Sequence, residues 1–421
     1  MKTAAQVVDA IHGTYATGSK NGLENTKELM RRLCPQTKVP VIHVAGTNGK
    51  GSTCAMLESI LRCAGYRTGL YTSPFLQRYE ERIRLNGRLI SGEEMELYGN
   101  RLLEAAEGLQ PTPFEMGTAL ALSAFEGEQV DVAVVEVGLG GRLDPTNVVQ
   151  PCLCGIAAIG LDHMHFLGDT AEKIAGEKAG IMKDNVPVVC HPAENGVAAV
   201  FAREAEKRRA PLRQLAMEQL LHWSCTAHDS TATYQLEETW KDVHIALPGE
   251  HQLTNVMTVL AMVEELRKQG FRLPEEAVRR GLETTVWPAR LEWCGRILID
   301  GAHNAQGVQA LLTFVQHHLQ DKHRVLLSGV LAEKLQPDML TALAQLADTA
   351  VTVTPDSPRS MDAEEYAMHL RSVGVTATPA PTLEEGLKQA EALAGEDGII
   401  LAAGSLYFAG GLRNLLKLPV S

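Results

Sequence analysis

A lysine set among glycines, three strand ends carrying oxygen or nitrogen donors, and a lysine on a core-facing helix position hold the chain's clearest chemical potential. Gly46-Thr47-Asn48-Gly49-Lys50-Gly51-Ser52 follows directly on Val41-Ile42-His43-Val44-Ala45. The apolar, β-branched run reads as a buried parallel strand, and the glycines free the backbone to wrap an anion. Residues 53–64 read as a helix whose N-terminal N–H groups and dipole face the same anion. Together these elements make a phosphate cradle, with Lys50 as a point charge for the outer phosphates and a hydroxyl nearby for Mg²⁺. The Walker A spacing is incomplete: Val44 stands where its first glycine belongs, and Gly51 where its hydroxyl residue belongs. A turn that only joins strand to helix is the alternative reading.

In open parallel sheets, ligands sit beyond the carboxyl ends of the strands. Segment 67–72 runs into Ser73, 132–137 carries Glu136 near its end, and 154–161 runs into Asp162 and His163. Mg²⁺ takes one or two protein carboxylates, phosphate oxygens and waters, so Ser73, Glu136 and His163 are candidate ligands. An imidazole is an unusual partner for a hard cation, and hydrogen bonding is the other reading of His163. A carboxylate in an apolar strand must be paired or metal-bound, which singles out Glu136. Asp169-Thr170-Ala171-Glu172 reads as a helix start, with Asp169 as N-cap and Glu172 completing the reciprocal cap. At helical spacing Ala171, Ile174, Ala175, Lys178, Ile181 and Met182 share one face, so Lys178 faces the core. Such a lysine snorkels along apolar surface, pairs with a carboxylate, or loses its proton to desolvation. In the last case the free amine can add CO₂ and become a metal-ligating carbamate.

The elements that must position these residues follow from length and pattern. A chain of 421 residues makes two domains, and 45% hydrophobic with 21% charged residues is ordinary globular composition. A net charge of −12 argues against nucleic-acid and anionic-membrane binding. Anionic substrates then need local basic clusters, for which Arg82, Arg84 and Arg88 are candidates. Eight cysteines in this length are no disulfide framework. Cys152 and Cys154, two apart on a strand, share a face and read as small buried residues rather than a metal pair. With no leader-like apolar segment and no membrane-length stretch, a cytoplasmic location is expected.

The first 40 residues read as a helix or two, with turns at Thr17-Gly18-Ser19 and Asn21-Gly22. Strands are expected at 40–45, 67–72, 131–137, 154–161 and 186–190, alternating with helices as in a helix-covered parallel sheet. Residues 212–247 break the rhythm and read as a small antiparallel sheet appended to the first domain. After Trp287-Pro288-Ala289-Arg290 a second α/β series begins, with strands at 296–300, 324–330, 349–354 and 398–403.

Nine segments carry a resemblance: HVAGTNGKGS (43–52), YTSPFLQRYEERI (71–83), PFEMGTALA (113–121), EVGLGGRLDPTNVV (136–149), LDHMHFLGDTAEKIAGEKAGIMK (161–183), GEHQLTNV (249–256), WPARLEW (287–293), DGAHN (300–304) and GSLYF (404–408). In this order they resemble the folylpolyglutamate synthase and dihydrofolate synthase family of the Mur ligase superfamily. The family loop also has glycine after its lysine, so the Walker departure is its expected form. The resemblance implies an N-terminal P-loop ATPase domain (1–290) and a C-terminal Rossmann-like glutamate-ligase domain (291–421), with the active site between them. It implies ATP binding by Gly46, Thr47, Asn48, Gly49, Lys50, Gly51, Ser52, Asn255, Arg290 and Asp300. It implies Mg²⁺, as two ions, at Ser73, Glu136, His163 and a carbamylated Lys178, and leaves a monovalent cation open. His303 and Ser405 fall on the incoming-glutamate side, and Arg82 and Phe114 on the folate side. Phe75 departs from a histidine carried by many relatives and is left out of the site.

The implied activity is a ligase acting as a monomer on ATP, L-glutamate and a folate or dihydropteroate, without nucleic-acid or membrane partners. ATP would phosphorylate a folate carboxyl group, and glutamate would attack the acyl phosphate. A dihydrofolate synthase joining glutamate to dihydropteroate alone uses the same residues. Cell-wall Mur ligases need a further domain ahead of the loop, where 45 residues stand. A P-loop kinase or GTPase would not need DGAHN and GSLYF, and a non-catalytic nucleotide binder would not need Lys50, Glu136 and His163 together.

Overall fold

The computed structural model describes residues 1–14 and 22–420. Thr17-Gly18-Ser19 and Asn21, where turns are expected, lie outside the described residues. Eight strands form the first sheet: β1 (Val41–Ala45), β2 (Thr68–Tyr71), β3 (Ile83–Leu85), β4 (Arg88–Leu89), β5 (Val132–Glu136), β6 (Leu153–Ile156), β7 (Val188–Cys190) and β8 (Leu212–Gln214). Their order is β4-β3-β2-β5-β1-β6-β7-β8. The β2–β3 and β3–β4 pairs are antiparallel, so the sheet is more mixed than expected. The cause is local: Asn86 and Gly87 both take positive φ, the requirement of a tight hairpin turn.

Three further strands, β9 (Leu220–Cys225), β10 (Ser230–Gln235) and β11 (Thr239–Ile245), form the expected antiparallel sheet. It starts later than residue 212, because β8 pairs in parallel with β7 as the edge of the first sheet. The last sheet comprises β12 (Glu292–Cys294), β13 (Ile297–Ile299), β14 (Arg324–Ser328), β15 (Thr349–Thr352), β16 (Thr376–Pro379) and β17 (Ile399–Ala403). Its order is β12-β13-β17-β14-β15-β16, and only β12 runs antiparallel to its neighbour. Short strands β12 and β16 join the four expected here.

Both faces of the first sheet are covered, which a largely parallel sheet requires. Helix Lys50–Cys63, buried from Gly51 to Leu61, packs with helices Glu250–Lys268 and Glu275–Glu283 over Ile42, Val44 and Val134. Residues of helices Ala4–His12, Glu24–Leu33, Gly92–Ala105 and Pro113–Gly127 pack over Tyr71 and Val135 on the other face. Cys152 and Cys154 do not share a face. Cys152 precedes β6 and packs on the Ile42 side, whereas Cys154 lies in a separate cluster with Ile156 and Val188. No helix among the described residues is long and apolar enough to cross a membrane.

Candidate active site

Central strand β1 lies between β5 and β6, so the loops leaving all three meet above the sheet. Gly49, with φ of 83°, turns the chain into helix Lys50–Cys63, which starts three residues earlier than expected. Lys50, Gly51 and Ser52 therefore form its first turn, whose N–H groups find no helical carbonyl. A side chain at position 49 would be strained, and its Cβ would stand 2.4 Å from Asn255 Oδ1. The loop is stitched to the segment that follows β6. Thr47 N donates to Ala158 O at 2.8 Å, and Thr47 Oγ1 to Gly160 O at 3.0 Å. Lys50 Nζ donates to Thr47 O at 3.1 Å.

Glu136 ends β5 in register with Val44, at the entry to the loop. It is buried, and its Oε2 accepts from Ser73 N at 3.0 Å. Burial raises its pKa, against the pull of Lys50, the Ser73 amide and Arg290. Asp162 and His163 follow β6, which ends at Ile156, so the segment after it is loop rather than the long strand expected.

Lys178 ends helix Ala171–Lys178 and lies on the buried face foreseen for it, beside Ile174 and Ala175. The cap differs: Thr170 Oγ1 accepts from Lys173 N at 3.3 Å, because Asp169 is drawn away to Lys173 Nζ at 2.8 Å. Lys178 is 4% exposed and donates to Gly46 O at 2.7 Å, a neutral carbonyl rather than a carboxylate. Burial, aided by Lys50, lowers its pKa to about 7.

The six-stranded sheet supplies the facing wall. After β13, Asp300 accepts from Leu291 N at 2.9 Å and Ala302 N at 2.8 Å, and burial raises its pKa. His303 Nδ1 donates to Gly301 O at 2.8 Å, and burial holds the ring neutral with a pKa of about 4. Ser405 follows β17 and caps helix Leu406–Leu415 by accepting from Phe408 N at 3.1 Å. Arg290 donates to Ala289 O at 2.8 Å.

One cavity of about 440 Å³ is lined by all of Gly46, Thr47, Asn48, Gly49, Lys50, Gly51, Ser52, Ser73, Glu136, His163, Lys178, Asn255, Arg290, Asp300, His303 and Ser405. Arg82 and Phe114 are not in its wall. Phe114 stands behind Gly138, where a Cβ would come 2.3 Å from the ring. The Arg82 guanidinium lies 5.3 Å from the Phe75 ring centre and 5.5 Å from that of Tyr79. Arg82, Arg84 and Arg88 form no basic cluster: Arg84 lies over Trp287, and exposed Arg88 pairs with Glu94 at 2.7 Å.

Residues not foreseen as a unit join the two walls. Asn304 Nδ2 donates to Asn48 Oδ1 at 3.1 Å and to Asp162 Oδ2 at 3.2 Å. Lys334 pairs with Asp162 and lies 3.2 Å from His163 Nε2. Burial opposes ionisation of Asp162, but His163 and Lys334 outweigh it and leave the carboxyl well below the usual range. Asn304 stood inside a motif segment, but Lys334 had no local signal at all. Among the described residues no group of three or more His, Cys, Asp or Glu side chains converges as a metal cage. A donor set with few carboxylates suits a cation that keeps phosphate oxygens and waters, as Mg²⁺ does.

Residues 44–263 match the Mur ligase middle domain, and residues 289–406 the Mur ligase glutamate ligase domain. The dihydrofolate synthase/folylpolyglutamate synthase of Bacillus subtilis is 37% identical, over 97% of each chain. Among solved structures, Mycobacterium tuberculosis folylpolyglutamate synthase complexed with ADP superposes with a TM-score of 0.92 at 30% identity, over 99% of each chain. Escherichia coli FolC in complex with DHPP and ADP gives 0.88 at 30% identity, over 99% of this chain and 98% of that one. A phosphate loop on one sheet, a facing wall on another and matches along the whole chain place this protein in the folylpolyglutamate synthase/dihydrofolate synthase family of ATP-dependent Mur ligases.

Proposed function

We propose that this protein joins L-glutamate to folates through an acyl phosphate, with dihydropteroate as a second acceptor in the same site. The observation that carries the reading is the shared cavity, with a phosphate loop and Lys50 on one wall and His303, Ser405 and Lys334 on the other. A carboxylate is a poor electrophile, so it must be activated before an amine can attack. A folate carboxylate oxygen attacks the γ-phosphorus of ATP, the bond to ADP breaks, and an acyl phosphate forms. The loop amides and Lys50 stabilise the charge that builds on the transferring group. The α-amino group of glutamate then attacks the acyl carbon, loses a proton, and expels phosphate as the amide forms. No enzyme nucleophile is needed. The two walls must exclude water, because acyl phosphates hydrolyse.

Ser73, Glu136 and His163 are the residues proposed to hold Mg²⁺, which when bound supplies Lewis-acid charge at the phosphates. Glu136 fits the role, being a buried carboxylate at the mouth of the phosphate loop. Lys178 fits carbamylation: near pH 7 much of its amine is unprotonated, and its lone pair can add CO₂ with release of one proton. We place the division between the working halves at residues 290 and 291, beside Arg290. Arg82 and Phe114, outside the cavity wall, are proposed to meet the folate where it leaves the cavity past Ser73 and Gly138. Folate labelled with ¹⁸O in its reacting carboxyl group tests the acyl phosphate. One labelled oxygen should appear in the released phosphate, and unlabelled phosphate from a productive reaction would remove the intermediate. Turnover should also fall in CO₂-depleted buffer and return with bicarbonate; indifference to both would remove the carbamate.

A further inference from the structure

The segment after β2 carries Ser73 and belongs to the first domain, yet its tip is anchored in the second. Leu76 packs against the second domain's apolar cluster of Phe408, Ala409 and Leu412. Helix Leu406–Leu415 can approach so closely only because residue 410 is glycine, where a Cβ would fall 2.0 Å from Leu76 O. Beside this contact, Gln77 Nε2 donates to Asn414 Oδ1 at 3.0 Å, and Gln77 Oε1 accepts from Arg413 Nε at 3.1 Å. Arg413 is 1% exposed, and each of its three guanidinium nitrogens has an acceptor, which offsets the burial of its charge. Its other nitrogens donate to Glu292 and, at 2.6 Å, to Pro419 O.

Glu292 continues the chain of contacts. Its Oε2 accepts from Ala289 N at 2.9 Å, within a crossing segment where Ala289 and Leu291 both take positive φ, 52° and 48°. Such backbone in non-glycine residues persists only where the surroundings hold it, and Arg290 stands between the two. At the other end, Glu81 clamps the loop by accepting from Leu76 N, Gln77 N and Arg78 N at 2.8, 2.8 and 2.7 Å. Ser73 N in turn holds Glu136. One buried side chain therefore touches both segments that cross or reach across the cleft.

We propose that Arg413 is a positioning residue that couples the placement of Ser73 and Glu136 to that of Arg290, through Gln77 on one side and Glu292 on the other. It touches no reacting atom. When the helix and the loop separate, the phosphate-side donors and Arg290 lose their common reference, and water reaches the acyl phosphate. The inference rests on the acyl-phosphate reading for its catalytic consequence, but the coupling itself is readable without turnover.

The test compares wild type, Gln77→Ala and Arg413→Gln in the presence of Mg-ADP. Gln77→Ala leaves the buried Arg413–Glu292 pair in place, so it remains informative if Arg413→Gln fails to fold. Hydrogen exchange at the amides of residues 73–81 and 287–292 is read first. Gln77→Ala should expose 73–81, and Arg413→Gln both segments. Phosphate released per amide formed is read second, and should rise at least about twofold as hydrolysis competes. Displacement of the donors should lower kcat on the order of tenfold or more. Unchanged exchange in Gln77→Ala would overturn the coupling, whatever the turnover. Raised exchange with a wild-type product ratio would overturn its link to water exclusion. A wild type that forms no amide would sink the proposed activity instead, and exchange would still decide the coupling.

Discussion

Lys50 and Lys178 both donate to carbonyls of the phosphate loop, at Thr47 and Gly46. Lys50 lines the cavity, and if it stabilises the transferring phosphoryl group as proposed, Lys50→Ala should lower turnover by ~10²–10³-fold. Near-normal turnover of the folded variant would contradict the loop assignment. Lys178 is buried, and its pKa falls from 10.5 to about 7 on folding. Between those values the unfolded chain binds more protons than the folded one, so this residue's contribution to stability rises with pH across that window and is least favourable below pH 7. Lys178→Met removes the dependence. Denaturant unfolding without CO₂ or nucleotide should show the variant gaining on wild type as pH falls from about 10 to 7. A difference that does not vary with pH would contradict the assignment. The anomaly of Lys178 was legible because helical spacing alone puts it among Ile174, Ala175 and Ile181. Lys334 was not, since its meeting with Asp162 is made by the approach of two sheets distant in sequence.

Glycine 141 shows how an element holds a residue in place. A Cβ there would lie 2.7 Å from Glu177 O and 2.9 Å from Lys178 O, both backbone atoms that cannot swing away. Gly141→Ala should therefore push the end of helix Ala171–Lys178 outward, destabilise by about 1–3 kcal/mol and lower turnover. Wild-type stability and rate together would refute this packing account. Strands β1, β5 and β17 were readable because strands buried on both faces leave near-continuous apolar runs. The β3–β4 edge was not, because Ile83–Leu89 is short and carries two arginines. The sheet membership of β8 was hidden too, since two of the three residues of Leu212–Gln214 are polar and the strand pairs only through tertiary placement. The helix cap shifted from Asp169 to Thr170 because a neighbouring lysine competes for the carboxylate, a choice no spacing rule resolves.

At the scale of the molecule, function lies in the meeting of two sheets. Their alternating strand–helix patterns were legible, but the contacts of Asn48 with Asn304 and of Arg413 with Gln77 exist only once both halves have folded. ADP bound in the shared cavity should stabilise both halves, by about 2.7 kcal/mol at ~100 times its Kd. Hydrogen exchange would show this as protection around both Gly46–Ser52 and Asp300–Asn304. Protection confined to the first would contradict a cleft-spanning nucleotide. The central claim is tested most directly by phosphate release from Mg-ATP by the purified protein, with and without L-glutamate, with tetrahydrofolate and dihydropteroate supplied separately. The account predicts glutamate-dependent release matched by amide formation with tetrahydrofolate, and with dihydropteroate as well. Phosphate release from folded protein that ignores glutamate with both acceptors would contradict it.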